Sequence, residues 1–335
     1  MAMDICFRAR SATHGTRSNA MPFETQEPWK RQLYAGTECP EHVVIPLKDY
    51  NAYCLNPAHR WVYNKLEIAE KQGLLCAPHG LAPSKFPVFS KPIYNIRNLG
   101  AGTRLLEDME DYHEHCSSGH MWSELLQGDH ISTDMAVLNG KVVWLSHTLG
   151  IPSGGGTFDR WEVNVTVSQE DERALVGFVE LHLPDYTGML NAETIGGQII
   201  EMHLRFTNQW PDLYPRGFLD AVVGLYQGKW CPTDEMVVND TRGFSVVLFG
   251  TPKTESWAKP EMSLVEAIRS SHSLYSVQMP FTEGLPARHH AHPPGGYQLA
   301  IFNGPDLLQC LKAREDFKNV FSAVNSWSST ITSHI

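Results

Sequence analysis

The sequence predicts an α+β protein, because strands that pair as antiparallel hairpins are interspersed with separate helical segments. Two strand pairs turn at Asn139-Gly140 and at Gly196-Gly197, where glycine tolerates the positive φ that tight hairpins need. Apolar residues at helical spacing, bounded by capping residues and breakers, mark the helices. From about Gly243 the pattern changes to short strands and turns with a closing helix, which indicates a small C-terminal α+β module.

The individual elements follow from the same signals in chain order. Residues 1–40 lack clear periodicity and are interpreted as a partly disordered leader with one short helix. The first long helix has Asn56 as N-cap, Pro57 at its first position and Gly73 as its stop. The predicted helices are 57–72, 103–116, 215–228 and 305–313. The predicted strands are 42–47, 87–93, 120–126, 130–138, 141–147, 175–183, the two arms of 188–206, 244–250, 275–281 and 297–302, with glycine-bearing loops at 98–102 and 150–157.

The bulk composition excludes several classes of protein. With 335 residues the chain is long enough for a large core and two or three subdomains. Its net charge of −10 argues against non-specific nucleic-acid binding, and no segment approaches the ~20 apolar residues of a membrane span. Seven scattered cysteines without a CxxC spacing fit free thiols in a reducing compartment. We therefore expect a cytoplasmic protein, with an organelle transit peptide in residues 1–20 as the alternative.

The stretch from Gly188 to Phe206 organises the rest of the prediction. With a three-residue turn at 196–198, Glu193 faces Glu201 across the hairpin. Side chains alternate along a strand, so the apolar residues share one face, which is predicted to lie against the core. These residues are Leu190, Ala192, Thr194, Ile200, Met202 and Leu204. Two alternatives stay open: a solvated surface hairpin, and a two-residue Gly-Gly turn that would put the glutamates on opposite faces.

The polar face of this hairpin indicates a site for a metal ion and a phosphate. Two carboxylates directly opposite one another repel unless a cation lies between them. Mg²⁺ suits that position, since it is commonly held by one or two carboxylates together with substrate phosphates. Asn191 and His203 form the neighbouring pair on the same face. Arg205, beyond Glu201, can grip a phosphate with its planar fork.

Three further features accompany the hairpin, and the first of them suits an anion. Lys91 ends an apolar strand just before the loop 98–102, so the lysine and the loop N–H groups can approach the same phosphate. A solvated strand end is the alternative for Lys91. The segment Ser123 to Gly128 (SELLQG) ends a strand and leads into the next hairpin, and Lys65 lies within the helix 57–72.

The order of these features resembles the ATP-grasp superfamily, whose members join carboxylates to amines, thiols or other nucleophiles through acyl phosphates. The family presents a lysine on an early helix, a strand ending in Lys-Pro or Lys-Ala, a glycine-rich lid loop and a Glu-x-x-x-Gly hinge beside adenine. A hairpin with an aspartate and a final Glu … Glu-x-Asn-x-Arg follow. The match covers roughly residues 60–235 of this chain.

The resemblance implies ATP and Mg²⁺ as cofactors, with Mn²⁺ as a substitute. The implied nucleotide-binding residues are Lys65, Lys91, Gly100 and Gly102 of the lid, and Glu124, Leu125 and Leu126 beside the adenine. The implied metal-site residues are Glu193, Glu201, His203 and Asn191, and the catalytic residues are Arg205 and Arg160. Arg205 would stabilise the transferring phosphate. Arg160 is the candidate for binding the substrate carboxylate, with a surface arginine packed on Trp161 as the alternative.

His203 departs from the family pattern, which has asparagine two residues after the second glutamate. Imidazole is a poorer partner for hard Mg²⁺ than an amide oxygen and suits softer transition metals better. Three roles stay open: His203 is a metal ligand, His203 hydrogen-bonds a phosphate or substrate, or Asn191 supplies the missing oxygen across the hairpin.

The implied architecture is two α+β subdomains that clasp ATP. Its segments are the leader 1–40, a reduced N-terminal region 41–85, a lid subdomain 86–126, a core subdomain 127–240 and the C-terminal module 241–335. The implied function is an ATP- and Mg²⁺-dependent ligase that activates a small-molecule carboxylate as an acyl phosphate and joins it to an amine or a thiol. No nucleic-acid or membrane partner is expected, and a homo-oligomer is compatible with the sequence.

Three alternatives to the ligase stay open. They are an ATP-grasp phosphotransferase, a nucleotide-binding regulatory protein without turnover, suggested by His203, and a small metalloprotein around His289, His290 and His292. The histidines near residue 115 are discounted as a metal cluster, because His113 and His115 lie about 200° apart on a helix. Asp134 is expected either to approach the nucleotide or to be a carboxylate at the hairpin edge.

Overall fold

Two antiparallel sheets form the framework of the protein. The computed structural model describes residues 28–94, 100, 102–238, 242–250, 256–286, 292–293 and 295–325. The smaller sheet contains β1 (Cys76–Pro78), β2 (Val88–Pro92), β3 (Arg104–Leu106) and β4 (His120–Glu124), in the spatial order β1-β4-β2-β3. Val88, Leu106, Tyr112 and Trp122 form its own small core.

The larger sheet has eight strands and includes the C-terminal ones. Its strands are β5 (His130–Leu138), β6 (Lys141–Gly154), β7 (Thr157–Val165), β8 (Gly188–Ile195), β9 (Gln198–His203), β10 (Gly243–Gly250), β11 (Ser276–Gln278) and β12 (Tyr297–Gly304). Their spatial order is β11-β12-β10-β7-β6-β5-β8-β9. Because β10 pairs with β7, the C-terminal strands extend this sheet instead of forming a separate one.

Nine α-helices lie in the described residues. They are α1 (Pro28–Tyr34), α2 (Asp49–Leu55), α3 (Lys65–Lys71), α4 (Met109–His115), α5 (Gln169–His182), α6 (Phe218–Tyr226), α7 (Asp234–Val238), α8 (Met262–Ser271) and α9 (Leu307–Asn325). Short 3-10 helices occupy Pro57–Tyr63 and Pro211–Leu213. None of the helices in this part of the chain is both long and apolar enough to span a bilayer.

The two faces of the larger sheet are buried in different cores. On β10, Val247 packs into one core, while Val246 and Leu248 pack into another on the opposite face. Ala136 and Met189, from β5 and β8, belong to the same core as Val247. Side chains alternate along a strand, so Asn191 and Glu193 of β8 lie on the same face of the sheet as Met189. Their partners on β9, His203 and Glu201, lie on that face as well.

The hairpin of β8 and β9 has the register that the sequence predicts for its polar residues. Glu193 pairs with Glu201. The predicted three-residue turn is wrong, because Ile195 pairs with Gln198 and the turn consists of Gly196 and Gly197 alone, both with positive φ. A two-residue turn by itself would have placed the two glutamates on opposite faces.

A β-bulge restores the alternation of this hairpin. Thr194 pairs with Ile199 and the next pair is Glu193 with Glu201, so Ile200 is the extra residue on β9. The bulge corrects the predicted core face as well. Ile199 is buried in the core, whereas Ile200, which the alternation assigns to the core, lies on the side of the glutamates.

The predicted strand at 175–183 is wrong, since this segment lies in α5. Ser168 caps the helix by accepting a hydrogen bond from the N–H of Asp171 at 3.0 Å. Three acidic residues in the first turn favour the positive end of the helix dipole. Leu175, Val179 and Leu183 recur every four residues and are buried, so the dense apolar run hides a helical period.

The predicted helix at 57–72 is interrupted. A 3-10 helix ends at Tyr63, and Asn64 then adopts an extended conformation and caps α3 by accepting a hydrogen bond from the Glu67 N–H at 3.2 Å. Lys65 is therefore the first residue of α3 instead of a mid-helix residue.

Other boundaries also differ from the sequence prediction. Residues 103–116 form β3 followed by α4, where Asp108 caps the helix through its carboxylate. Residues 42–47 contain a single bridge position at Ile45 in place of a strand, and residues 150–157 join β6 to β7 as a strand pair and turn. α1 corresponds to the short helix expected before residue 40, while residues 1–27, 95–99, 101 and 287–291 lie outside the described part of the chain.

Candidate active site

The paired glutamates of β8 and β9 lie in a mesh of charged side chains. Glu201 contacts the ammonium of Lys65 through Oε2, and its Oε1 lies 3.7 Å from His203 Nε2. Glu193 Oε2 lies 3.0 Å from His130 Nε2. Burial raises the pKa of Glu201, but Lys65 and His203 outweigh it and hold that pKa well below its usual range. Glu201 is therefore a carboxylate at neutral pH, and it lies directly opposite Glu193 on the neighbouring strand.

Lys91 reaches this hairpin from the smaller sheet. It lies on β2, and its Nζ donates a hydrogen bond to the carbonyl oxygen of Ile200 at 3.0 Å. Burial, together with the like charge of Lys65, lowers the pKa of Lys91 to about 8. A lysine in that state gains from an additional anionic partner, because such a partner favours the charged form.

These side chains open into one cavity of about 420 Å³ between the two sheets. Eight of the predicted site residues line it: Lys65, Lys91, Gly100, Glu124, Leu125, Leu126, Glu193 and Glu201. The remaining wall is mostly apolar, from Phe89, Phe158, Trp161, Ile195, Ile200, Val247 and Phe249. The structure therefore brings together residues that the sequence separates by more than 100 positions.

The segment Glu124 to Leu126 forms one edge of the cavity, directly after β4. Glu124 is bound to Leu75 twice: its N–H donates to the Leu75 carbonyl at 2.8 Å, and its Oε1 accepts from the Leu75 N–H at 2.9 Å. The Glu124 carboxylate thus fixes this edge, and Leu125 and Leu126 follow it along the cavity wall.

Asp49, which the sequence analysis did not identify, holds the side chains of His203 and Arg205 behind Glu201. His203 Nδ1 lies 3.0 Å from its Oδ1, Arg205 Nη2 donates to its Oδ2 at 2.9 Å, and Tyr63 donates to Oδ1 at 3.3 Å. Burial opposes the charge on Asp49, but Arg205 and His203 outweigh it and lower its pKa. Burial likewise opposes the charge on His203, whose pKa Asp49 nevertheless raises to about 9.

Asn191 and Asp134 form a buried polar cluster behind the glutamates. Asn191 Nδ2 donates to Asp134 Oδ1 at 2.8 Å and to Ser132 Oγ at 2.9 Å. Asp134 also accepts from Tyr214 Oη at 2.5 Å and from the Thr207 N–H at 2.9 Å. Asp134 is thus a buried acceptor that ties β5 to the chain after β9, and not a carboxylate at the hairpin edge.

Five predicted residues do not line the cavity, and Asn191, in the buried cluster, is one of them. Arg160 lies one position before Trp161 on β7, so it points to the opposite face, where it pairs with Glu162 at 2.9 Å and Asp159 at 3.2 Å. Gly102 lies against β2, where an added Cβ would meet Pro92 at 3.3 Å. Arg205 and His203 do not line the cavity either; they lie behind Glu201, held by Asp49.

An aromatic wall beside Glu193 was also missed. The His130 ring packs edge-on against Phe158 and Trp161, with centroids 5.0 and 5.9 Å apart. His130 pairs with Gly150, and Gly150 with Trp161, so the three lie in one row across the sheet. A Cβ on Gly150 would approach both aromatic rings to 2.7 Å. In the sequence, Gly150 and Trp161 indicate this wall only if their strands are known to pair with these two residues opposite each other.

Two sets of side chains in the described residues have the geometry of a metal site. Glu193, Glu201 and His203 each offer a ligand atom, and these atoms lie within 4.8 Å of one another. Asp111, Glu114 and His115 form a second such set on α4. This set includes His115 but not His113, as the helical separation of the two histidines predicts. The Nδ1 atom of His115 lies 3.0 Å from the Asp111 carbonyl oxygen. His292 belongs to the histidine-rich segment that the sequence offers as an alternative metal site. Its Nδ1 atom lies 2.9 Å from the carbonyl oxygen of the neighbouring Pro293.

Comparison with known proteins identifies the fold. No family model matches the chain, and no curated protein matches it in sequence. Similar solved structures include an L-amino acid ligase from Bacillus licheniformis, with a TM-score of 0.57, 14% identity, and coverage of 83% of this chain and 79% of that one. A carboxyaminoimidazole ribonucleotide synthase from Aspergillus clavatus, complexed with ATP, has a TM-score of 0.56, 12% identity, and coverage of 84% and 82%.

A phosphoribosylamine–glycine ligase from Thermotoga maritima matches with a TM-score of 0.54, 14% identity, and coverage of 84% of this chain and 83% of that one. At such identities the likeness concerns the fold. It agrees with the order of motifs in the sequence, from Lys65 through Lys91 to Glu193 and Glu201. The chain therefore has the fold of the ATP-grasp superfamily.

Proposed function

We propose that this protein is an ATP-dependent ligase that activates a small-molecule carboxylate as an acyl phosphate and joins it to an amine or a thiol. The observation that carries the proposal is the convergence of Lys65, Lys91, Glu193 and Glu201 on one cavity. These residues come from α3, β2, β8 and β9, so only the tertiary fold accounts for their meeting. The likeness to ligases of the same fold supports the type of reaction.

The cavity offers a place for each part of ATP. The backbone after β4 and the apolar side chains of Leu126 and Ile200 suit the adenine. Lys91 and Lys65 suit the phosphates, because both ammonium groups lie in the cavity and one of them is poorly compensated there. The wall of His130, Phe158 and Trp161, next to Glu193, remains for the carboxylate substrate and its acceptor.

The paired glutamates fit a divalent cation. Their donor atoms and the imidazole of His203 lie within 4.8 Å of one another, on one face of the hairpin. Glu193 and Glu201 would hold the ion, and His203 lies next to them on the same face of the hairpin. When bound, such an ion supplies charge neutralisation and orientation for phosphate oxygens.

The proposed chemistry depends on positioning and on charge. The substrate carboxylate oxygen attacks the γ-phosphorus, the bond from that phosphorus to the β–γ bridging oxygen breaks, and ADP leaves. The amine or thiol then attacks the acyl carbon, loses a proton and expels inorganic phosphate. Lys65 and Lys91 stabilise the charge on the transferring group, since both are already fixed by Glu201 and the Ile200 carbonyl.

Glu201→Gln tests this proposal, with Glu162→Gln as the matched control. Both glutamates are partly buried, with side chains 23% and 22% exposed, and both pair with a cation, but Glu162 lies outside the cavity. Phosphate release from Mg²⁺·ATP is measured with pairs of the twenty standard amino acids as carboxylate and amine donors, and amide products by mass spectrometry.

We expect Glu201→Gln to lower acceptor-dependent phosphate release by about 100-fold or more while its thermal unfolding stays close to that of Glu162→Gln. A stable phosphorylated product in place of an amide would favour the phosphotransferase. Nucleotide binding without turnover would favour the regulatory protein. Unchanged ATP hydrolysis in Glu201→Gln would contradict the proposed site.

A further inference from the structure

His203 occupies an unusual position in the site. It follows Glu201 by two residues on β9, so it lies on the same face of the hairpin, and the residue is buried, with 7% of its surface exposed. At this position the ATP-grasp family has the amide oxygen of an asparagine, whereas this chain has the imidazole nitrogen of His203. Asn191, across the hairpin, has its amide nitrogen bound to Asp134 and Ser132 in the buried cluster.

The orientation of the His203 ring is fixed from behind. Its Nδ1 lies 3.0 Å from Asp49 Oδ1, and because a carboxylate only accepts, Nδ1 carries a proton and donates it. Asp49 is itself held by Arg205 at 2.9 Å and Tyr63 at 3.3 Å. A carboxylate that holds the far nitrogen of a histidine is the usual support of a metal-ligating imidazole, since it fixes the tautomer and the ring plane.

The other ring nitrogen faces the carboxylate pair. His203 Nε2 lies 3.7 Å from Glu201 Oε1, whereas Lys65 contacts the other oxygen, Oε2. Oε1 is therefore turned toward His203, and a ligand atom of Glu193 lies within 4.8 Å of both residues. Three potential ligand atoms from two strands thus lie close together, and an ion that binds Nε2 displaces the proton on that nitrogen.

We propose that His203 Nε2 binds the divalent cation directly, together with Glu193 and Glu201, and that the site therefore favours a first-row transition ion over Mg²⁺. The inference rests on the proposed function, because it concerns the ion that would accompany ATP. Imidazole binds transition ions well, whereas Mg²⁺ prefers oxygen ligands, and transition ions accept mixed nitrogen and oxygen sets. Asp49 is a positioning residue in this arrangement.

The first test uses the unaltered protein and Mn²⁺ alone as the probe. Pulsed electron paramagnetic resonance of the Mn²⁺-loaded protein should show coupling to a directly coordinated imidazole nitrogen. The experiment needs no substrate and no turnover, so it does not depend on the identity of the reaction. Binding of Mn²⁺ without nitrogen coupling would overturn the inference.

His203→Asn identifies the nitrogen, with His130→Asn as the matched control. Each histidine lies near one of the two glutamates, but His203 and not His130 belongs to the set of ligand atoms that includes both glutamates. We expect His203→Asn to remove the coupling, to weaken Mn²⁺ binding about 10-fold or more and to leave Mg²⁺ binding nearly unchanged. Loss of the coupling in His130→Asn, with its retention in His203→Asn, would show that the assignment is wrong.

Asp49→Asn tests the positioning role. The Mn²⁺ affinity should fall by about 10-fold, and its ratio to the Mg²⁺ affinity should fall with it, while nitrogen coupling persists in the bound ion. A merely structural role of Asp49 would weaken both ions equally, which contradicts the positioning role.

Failure of this inference differs from failure of the proposed function. Calorimetric titration with a non-hydrolysable ATP analogue and Mg²⁺ reports nucleotide binding without reference to His203. If the analogue binds and the Mn²⁺ spectrum lacks nitrogen coupling, the ligase proposal stands and the imidazole ligand is wrong. If the coupling is present and no nucleotide binds, the metal site stands and the ligase proposal is wrong.

Discussion

Lys91 offers the sharpest prediction of pH dependence. Burial and Lys65 lower its pKa to about 8, from an unfolded value of about 10.4. The charged form of Lys91 is thus disfavoured in the folded protein until an anion binds. ATP binding that uses the ammonium should be strongest below pH 8 and should weaken as the pH rises through 8.

The magnitude follows from the protonated fraction. With a pKa of about 8, about 90% of Lys91 is protonated at pH 7 and about 10% at pH 9. If only the protonated form binds the phosphates, the affinity for ATP should fall about tenfold over this range, or about 1.4 kcal/mol. Calorimetric titration with a non-hydrolysable ATP analogue at several pH values measures this fall.

Variants separate Lys91 from its neighbours. His203, whose pKa is raised to about 9, also loses a proton in this range. Lys91→Arg keeps its charge at all these pH values, so its affinity should stay nearly constant from pH 7 to pH 9, whereas Lys91→Met should bind weakly throughout. Lys259→Met is the control, because Lys259 has a lowered pKa but lies outside the cavity. The same tenfold fall in Lys91→Arg would refute the reasoning.

Three further predictions concern the scaffold, and urea denaturation measures each. Asp134→Ala orphans buried donors, including the Tyr214 hydroxyl, and should lower the free energy of unfolding by about 3 kcal/mol or more; a change below about 1 kcal/mol would contradict the cluster. Gly150→Ala drives a Cβ against the Trp161 ring, so a loss of about 1–3 kcal/mol and altered tryptophan fluorescence are expected, and an unperturbed spectrum would contradict it. Ser168→Ala removes the cap of α5 and should cost about 1 kcal/mol; no change would count against the helix boundary.

The sequence predicts the pairing of the two glutamates better than it predicts the turn that positions them. The opposition of Glu193 and Glu201 is correct, although it was inferred from a three-residue turn that does not exist. Two differences compensate: the turn is one residue shorter, and the bulge at Ile200 adds one residue to β9. The two adjacent isoleucines give no sequence signal for a bulge. Which residues of β9 face Glu193 could therefore be inferred only from the metal site that a pair of glutamates would form.

The error at α5 has a different origin. Between Leu175 and Leu183 most residues are apolar, so alternation and helical spacing both find matches. The deciding signal was Ser168 followed by acidic residues, which marks a helix start. A local capping signal should therefore outweigh the density of apolar residues when the period is ambiguous.

Asp49 was beyond the reach of sequence reasoning. It lies 154 positions before His203 in the chain, in a helix of seven residues. Its role comes from the approach of α2 to the end of β9, and no periodicity or motif encodes that contact. Lys65 and Lys91 also lie more than 100 positions before the two glutamates, but the order of motifs in a family indicated them. Long-range contacts were thus predictable only where a family supplied them.

The charges of the site suggest why Lys91 differs from the other cations. Lys65 contacts Glu201, Arg205 contacts Asp49 and His130 contacts Glu193, whereas Lys91 Nζ donates to a main-chain carbonyl. A carbonyl dipole compensates a buried ammonium less than a carboxylate does, which agrees with the lowered pKa of Lys91.

The same charges bear on how a triphosphate can enter. A phosphate that approaches Lys65 also approaches Glu201, so attraction to the lysine is offset by repulsion from the carboxylate. A divalent ion on the paired glutamates would offset that repulsion and would leave both lysines available to bind phosphate. Among the described residues, Lys91 has no carboxylate partner, whereas Lys65 contacts one of the two proposed metal-binding carboxylates. In the proposed ligase, nucleotide binding and ion binding would therefore depend on each other.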